Sequence, residues 1–278
     1  ATVISAGNTV SIGDPAQLGP GDIDFQGGTL EVTADGSFLH DQTLRVGAQG
    51  GTIAAASGKA LDLAGGLVVQ DGIVRFGNAS NAGTISIGIV PYADTSGTGE
   101  VHVDAGTLKG VANTYGLSQL LYGARVVSVA AGATLDLAGS APFIRNLQGA
   151  GRLELGSTGT PLSVVEGNFS GVISGDRALS KTGNTRLVLS GTNTYTGGTE
   201  IIESSVLSVS RDANLGAASG RLYISGSTLQ VTGTAFSQMV RNVEIGPLGA
   251  TLDIADAGNR FILGSAVSGT GDLAKEGD

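Results

Sequence analysis

This sequence of 278 residues contains no cysteine and no tryptophan, only 6 prolines, and aromatic residues at 4%. Without cysteine, disulfide bonds cannot stabilise the fold, so a hydrophobic core must do so. Because aromatic residues are scarce, that core has to consist mainly of Val, Ile, Leu and Ala. The low proline content is compatible with extended sheets, in which every backbone N–H is needed as a hydrogen-bond donor.

Long runs of one residue class are also missing. No apolar run reaches the ~18 residues that a transmembrane helix requires. The formal net charge is −9, and the lysines and arginines are scattered singly. Nucleic-acid affinity rests on clustered basic residues. We therefore expect no transmembrane helix and no nucleic-acid partner.

The two histidines do not form a recognisable catalytic or metal site. His40 and His102 stand in unrelated contexts, whereas metal ligands usually recur at short, fixed spacings. The Gly-Xaa-Ser-Xaa-Gly string typical of many hydrolases does not occur. We expect neither histidine to act as a ligand or a base.

Pairs of carboxylates are candidate catalytic groups, because enzymes that cleave polysaccharides commonly use two acids. The closest pairs are Asp22 with Asp24, and Asp253 with Asp256. Alternation places Asp22 and Asp24 on one outward strand face, where charged side chains ordinarily keep a surface soluble. The sequence therefore predicts a protein that is not an enzyme and has no cofactor or metal site.

Internal repeats are the strongest signal that is present. The segment VSIGDPAQLG (residues 10–19) aligns with LSVSRDANLG (residues 207–216). Further along, VISGDRALSKTGN (residues 172–184) aligns with AVSGTGDLAKEGD (residues 266–278). Repeats of this kind are typical of stacked, solenoid-like architectures.

A shorter period lies within these copies. Thr29 and Thr52 are 23 residues apart, and so are Thr228 and Thr251. Apolar and polar residues alternate around each mark, which is the pattern of a strand with one buried face. Parallel crossovers are right-handed in nearly all known cases. The sequence therefore predicts an all-β fold: a right-handed parallel β-helix, or β-solenoid, forming one elongated domain over residues 1–278.

Two segments interrupt this pattern. Residues 78–99 contain Pro91 and Tyr92 in a turn-rich stretch, and we predict a hairpin or loop protruding from the coils. Residues 113–124 (NTYGLSQLLYGA) are the best helix candidate, with three leucines and Tyr122 placed to cover a coil face. An irregular turn between coils is the alternative for this second segment.

The sharpest local motif is LSGTNTYTGGTEI (residues 189–201). Gly197 and Gly198 supply turn conformations that residues with a Cβ atom avoid. Asn193 is suited to an Asx-turn with its own backbone. Tyr195 adds apolar area, with a hydroxyl available to a partner at the surface. We interpret the motif as the corner of a coil rather than a ligand site.

Together with the preceding GVISGDRALSKTGN, this motif resembles the passenger-associated repeat of bacterial autotransporters. That repeat reads as a Gly-Xaa-Gly-Xaa-Leu-Xaa-Lys turn, a strand ending in Leu-Ser-Gly, and then Asn-Thr-Tyr-Thr-Gly-Gly-Thr. The resemblance gives repeat units at about 105–204 and 205–278, of which the second is incomplete. Gly175-Asp176-Arg177 departs from the Gly-Xaa-Gly pattern, which Gly269-Thr270-Gly271 retains.

The resemblance implies a type V secretion passenger, exposed at the bacterial cell surface or secreted. It also implies membrane attachment only through a C-terminal β-barrel outside these residues. We expect an adhesin that contributes to virulence by binding host extracellular matrix, a host cell-surface protein or glycan, or a second copy of itself. Loops on rigid scaffolds carry function, so we expect binding at Pro91, Tyr92, Tyr115 and Tyr122. The alternative is a structural stalk that assists secretion and supports an enzymatic domain outside this sequence.

Overall fold

The computed structural model describes residues 1–38, 42–88, 93–95, 99–111, 114–138, 140, 143–157 and 159–277. It divides into two compact units. The first consists of Ala1–Ile144 with Gly151–Glu154, and the second of Arg145–Ala150 with Leu155–Asp278. Named strands pair in parallel within each unit. The predicted parallel β-solenoid is confirmed, while its right-handed sense and its single elongated domain stay predictions.

The first unit contains three parallel ladders, whose strands are numbered here in chain order. One ladder is β1 (Thr2–Ser5), β3 (Ile23–Gln26), β6 (Thr43–Val46), β9 (Gly66–Val69) and β12 (Ala93–Thr95). The second is β2 (Thr9–Ile12), β4 (Thr29–Val32), β7 (Gly51–Ala55), β10 (Ile73–Phe76), β13 (Glu100–Val103) and β15 (Val126–Val129). The third is β5 (Gly36–Phe38), β8 (Ala60–Leu63), β11 (Thr84–Ile87), β14 (Thr107–Gly110), β16 (Thr134–Asp136) and β18 (Arg152–Glu154).

From β3 to β14, each coil of the first unit contributes one strand to each ladder, and the predicted register is confirmed. Thr29 of β4 is the direct partner of Thr52 of β7. Corners such as the one at Gly50 (φ +75°) need glycine, because a Cβ atom there would lie 2.8 Å from the carbonyl oxygen of Ile73 on the next coil. The stacking of the coils therefore depends on both the short polar corners and the alternating strands.

The core of the first unit consists of columns of stacked aliphatic and phenylalanine side chains. One column follows the second ladder, with each member at most 1% exposed: Leu30, Ile53, Phe76, Val103 and Val129. Burial of each such side chain contributes roughly 1.5–3 kcal/mol. The hydrophobic effect acts mainly between neighbouring coils, since each column is built by their stacking.

The second unit is built on two ladders that both start from β19 (Leu162–Phe169). One continues as β21 (Leu179–Lys181), β23 (Thr199–Ile201), β25 (Leu222–Ile224), β28 (Val243–Ile245) and β31 (Val267–Gly269). The other continues as β22 (Arg186–Leu189), β24 (Val206–Val209), β26 (Ser227–Val231), β29 (Ala250–Ile254) and β32 (Leu273–Gly277). Its register pairs Thr228 with Thr251, as predicted.

The remaining elements are short. A further strand is β20 (Val172–Ser174), a small pair joins β27 (Gln238–Met239) to β30 (Ile262–Leu263), and β17 (Phe143–Gly149) contains residues of both units. Two 3-10 turns occupy Pro15–Leu18 and Asp212–Leu215, and a single α-helix among the described residues, α1, occupies Gly116–Gly123.

The two segments that interrupt the sequence pattern have different outcomes. Within 78–99, β11 is an ordinary coil strand whose Ile85 and Ile87 are buried, so the protruding loop predicted there is wrong for these residues. Pro91 and Tyr92 lie outside the described residues. Within 113–124, helix α1 is present and packs against β12 and β14.

Candidate binding surfaces

The outer face of helix α1 carries two exposed tyrosines. Tyr115 is 78% exposed and Tyr122 is 66% exposed, whereas the helix buries Leu117, Leu120 and Leu121. Tyr122 was expected to help cover a coil face together with these leucines, and that expectation is wrong. The three leucines, spaced one, three or four residues apart, fill the inward face, and Tyr122 lies on the opposite side of the helix.

The two tyrosines project from the same side of the helix. The carbonyl oxygen of Tyr115 accepts a hydrogen bond from the backbone N–H of Gln119 at 2.9 Å, so Tyr115 already belongs to the helical turn. Seven residues are close to two full turns, so Tyr115 and Tyr122 lie about 10 Å apart along the axis and on one face. This pair is called the α1 tyrosine face below.

Phe143 supports Tyr122. Their ring centroids are 5.4 Å apart with the planes inclined at 50°. Such a tilted contact is a favourable aromatic arrangement, and it restricts the Tyr122 ring without covering it. The α1 tyrosine face therefore combines apolar ring area with hydroxyl groups, which suits contact with a protein or with the C–H face of a sugar.

A network of charged side chains occupies the outer faces of β10 and β13. The His102 ring bonds through Nε2 to Glu100 at 2.9 Å and through Nδ1 to Arg75 at 3.3 Å. Arg75 also donates to Asp104 at 2.9 Å, and Arg125 donates to Glu100. Because a guanidinium group only donates, Nδ1 accepts and the proton of neutral His102 is on Nε2, pointing to Glu100.

The environment of His102 disfavours its charged form. Burial lowers the pKa of its imidazole below the ordinary 6.5, the positive charge of Arg75 lowers it further, and Asp104 opposes both effects. Both ring nitrogens are engaged within the network. In the sequence, the alternation Glu-Val-His-Val-Asp at residues 100–104 indicates three polar side chains on one outward strand face. Nothing in the sequence identifies Arg75 as their partner on the neighbouring coil. His40 lies outside the described residues.

The motif at residues 189–201 alternates between buried and exposed residues, and Asn193 and Tyr195 are among the buried ones. Asn193 accepts a hydrogen bond from the backbone N–H of Ile173 at 2.8 Å and donates to the carbonyl oxygen of Asn214 at 2.6 Å. The predicted Asx-turn with its own backbone is therefore wrong. Asn193 connects three segments about 20 residues apart along the chain, as a corner between stacked coils requires.

Tyr195 in the same motif is fully buried, so a surface partner for its hydroxyl is also ruled out. The hydroxyl lies 2.6 Å from Oγ1 of Thr199, and burial raises the pKa of the phenol. A Cβ atom at Gly197 would lie 2.3 Å from the backbone nitrogen of Ala178, and one at Gly198 (φ +87°) would lie 2.6 Å from the carbonyl oxygen of Arg221. All four motif residues thus belong to coil packing.

The carboxylate pairs have separate structural contacts. Asp22 accepts hydrogen bonds from Arg45 at 3.0 Å, and this contact lowers the pKa of the Asp22 carboxyl below its ordinary value. Asp253 accepts from Gln230 at 2.7 Å, whereas Asp256 accepts from the backbone N–H of Gly258 at 2.9 Å. In the described part of the chain, no group of three or more acidic or histidine side chains is arranged to hold a metal ion.

Comparisons with known proteins agree with the resemblance of the repeat motif. Residues 179–203 match the family model described as Passenger-associated-transport-repeat. Over 132 residues, the chain is 35% identical to the "Adhesin BmaC autotransporter" of Brucella suis biovar 1 (strain 1330). That match covers 44% of this chain and 4% of the relative, so the chain corresponds to a small part of its length. No solved structure matches the chain significantly.

None of the described helices is both long and apolar enough to cross a membrane.

Proposed function

Because the repeat match, the adhesin relative and the β-solenoid together support an autotransporter passenger, we propose that these residues form an adhesive part of one. Passenger similarity implies a location at the cell surface or outside the cell. The proposed role is attachment to a host cell-surface or matrix component, without catalysis. The relative is named an adhesin, and this supports the proposal.

The observation that carries the proposal is the α1 tyrosine face. Among the large hydrophobic side chains that are exposed in the described residues, Tyr115 and Tyr122 are the two aromatic ones. Tyrosine is enriched at binding interfaces because it offers large contact area and a hydrogen-bonding tip at low conformational cost. Helix α1 rests on coil strands through its buried leucines, so the tyrosines are presented by a rigid support.

The test is binding of the 278-residue chain to cultured epithelial cells and to immobilised extracellular matrix proteins. We expect Tyr115→Ser combined with Tyr122→Ser to abolish most of the binding. Leu248→Ser is the matched control, because Leu248 is also 78% exposed but lies in the second unit. Equal binding by the double variant and the control would show that adhesion does not use this face.

A second copy of the chain is the competing partner for the α1 tyrosine face. Sedimentation over a wide concentration range distinguishes it, because a tyrosine-dependent dimer without cell or matrix binding means that the partner is a second copy. If the chain binds neither cells, nor matrix, nor itself, the adhesive function is wrong.

A structural stalk is the second candidate, and a polar ladder on the second unit favours it. Arg186 donates to Ser208 at 2.9 Å, Ser208 donates to Gln230 at 3.1 Å, and Gln230 donates to Asp253 at 2.7 Å. These hydrogen bonds connect β22, β24, β26 and β29 along their outer faces. A chain that only supports would resist unfolding by force and bind neither cells nor matrix, and Gln230→Ala would lower that resistance.

A further inference from the structure

A groove of about 410 Å³ lies on the outer surface of the first unit, beside β10 and β13. Glycine-rich corners form its floor, and its rim carries Gln49, Asp71, Arg75, Glu100 and Arg125. Coil stacking explains the glycines, since a Cβ atom at Gly72 would lie 2.0 Å from the carbonyl oxygen of Gly47. The close approach of the backbones does not itself require the polar side chains of the rim.

The two arginines of the rim are held in place but keep unused donors. Arg75 bonds to Asp104 and His102 through Nη1, and Arg125 bonds to Glu100 through Nη2. Within the described residues, no hydrogen bond is made by Nε or the second Nη of either arginine. Each guanidinium group has five N–H donors in a fixed plane, so both present donors whose position is already restricted.

The charge around the groove selects against ionic ligands. Three carboxylates, on Asp71, Glu100 and Asp104, accompany two guanidinium groups, and the whole chain has a net charge of −9. An anion would be repelled by this excess of negative charge. A cation at Asp104 or Glu100 would have to displace Arg75 or Arg125, which already bond to these carboxylates.

An uncharged ligand rich in hydroxyl groups fits these conditions. A hydroxyl both donates and accepts, so it matches the alternating guanidinium, amide and carboxylate groups of the rim. Ile73 also lines the groove and is partly exposed, which provides an apolar contact for the C–H face of a sugar ring. The charged network already holds Arg75, Glu100 and Arg125, so these side chains lose little conformational entropy on binding.

We propose that this groove binds a short stretch of an uncharged oligosaccharide, with Arg75, Arg125 and Gln49 donating to the sugar oxygens. The inference rests on the proposed adhesive function and names the ligand class that one part of the surface takes. Arg125 follows Tyr122 of the α1 tyrosine face by only three residues, so one arginine of the groove lies just after the C-terminal end of α1.

The test uses the 278-residue chain on an array of neutral galactose- and N-acetylhexosamine-containing oligosaccharides, with sialylated and sulfated counterparts. The strongest neutral ligand is then titrated calorimetrically. We expect Arg125→Gln to raise its Kd about tenfold, the effect of losing one charge-assisted hydrogen bond. Arg152→Gln is the matched control, since the Arg152 side chain is 52% exposed against 57% for Arg125 and is also paired with a glutamate. We expect the control to change Kd less than twofold.

Three results would overturn the inference: no neutral oligosaccharide is bound, only sialylated or sulfated ones are bound, or the two variants weaken binding equally. A thermal melt of each variant excludes loss of folding as the cause. If the chain attaches to cells but binds no neutral sugar, this inference is wrong and the adhesive function stands. If it binds a neutral sugar through Arg125 but attaches to no cell or matrix, the adhesive function is wrong and the groove assignment stands.

Discussion

Replacing Arg241 with methionine should destabilise the second unit more than any exposed arginine replacement. The Arg241 side chain is 0% exposed, and it donates to both carboxylate oxygens of Asp212 at 3.0 and 2.9 Å. It also donates to backbone carbonyl oxygens of the 3-10 turn and the following loop, including those of Leu215 at 2.8 Å and Gly216 at 3.0 Å. The guanidinium group therefore holds the segment from 212 to 220 against the coils.

The magnitude follows from what the substitution leaves behind. Methionine fills much of the volume, but Asp212 and several buried carbonyl oxygens lose their donor. Breaking one side of a buried ion pair costs about 3–5 kcal/mol, because the remaining partner is left uncompensated. Arg241→Lys keeps the charge but not the planar fork, so it should fall between methionine and the native residue.

The matched control is Arg221→Met. The Arg221 side chain is 53% exposed and pairs with Glu244 at 2.5 Å. Exposed pairs contribute at most about 1 kcal/mol. The two variants should be compared by urea unfolding followed by far-UV circular dichroism, with hydrogen exchange of residues 212–220 as a local measure. Equal midpoints for the two variants, or unchanged exchange in Arg241→Met, would refute the reasoning.

Three further predictions concern the strand register, pH and one turn. Leu229→Asp should cost several kcal/mol and Thr228→Asp no more than about 0.5 kcal/mol, because Leu229 is 1% exposed and Thr228 points outward; equal melting temperatures would contradict this register. The pKa of His102 is lowered on folding, so the unfolded chain binds its proton more readily, and the contribution of His102 to stability should be complete above pH 6.5 and decrease as the pH falls below it. Melting curves of His102→Gln should show a smaller decrease over the same pH range. Ser204 has φ +57° in an exposed turn, so Ser204→Gly should stabilise by up to about 1 kcal/mol and Ser204→Val should destabilise; the same melting point for both would show that the turn is not strained.

The sequence by itself determined the repeat and the strand register. A period of 23 residues and an alternation of two are both one-dimensional properties. In a stack of similar coils they also decide which residues are neighbours. Thr29 and Thr52 are paired for this reason, as are Thr228 and Thr251. The inward position of Leu229 follows from the same alternation, because every second residue of a strand shares one face.

Only the tertiary structure decided what happens at the corners and on the outer faces. Tyr195 and Asn193 occupy a turn motif, and alternation gives no rule for the direction of a turn residue, so their burial was not predictable. Arg241 and Asp212 are 29 residues apart, a distance that differs from the coil period. The groove depends in the same way on the side chains of Arg75 and Arg125, whose positions come from neighbours on adjacent coils. Corner length varies from coil to coil, and that variation decides which side chains meet.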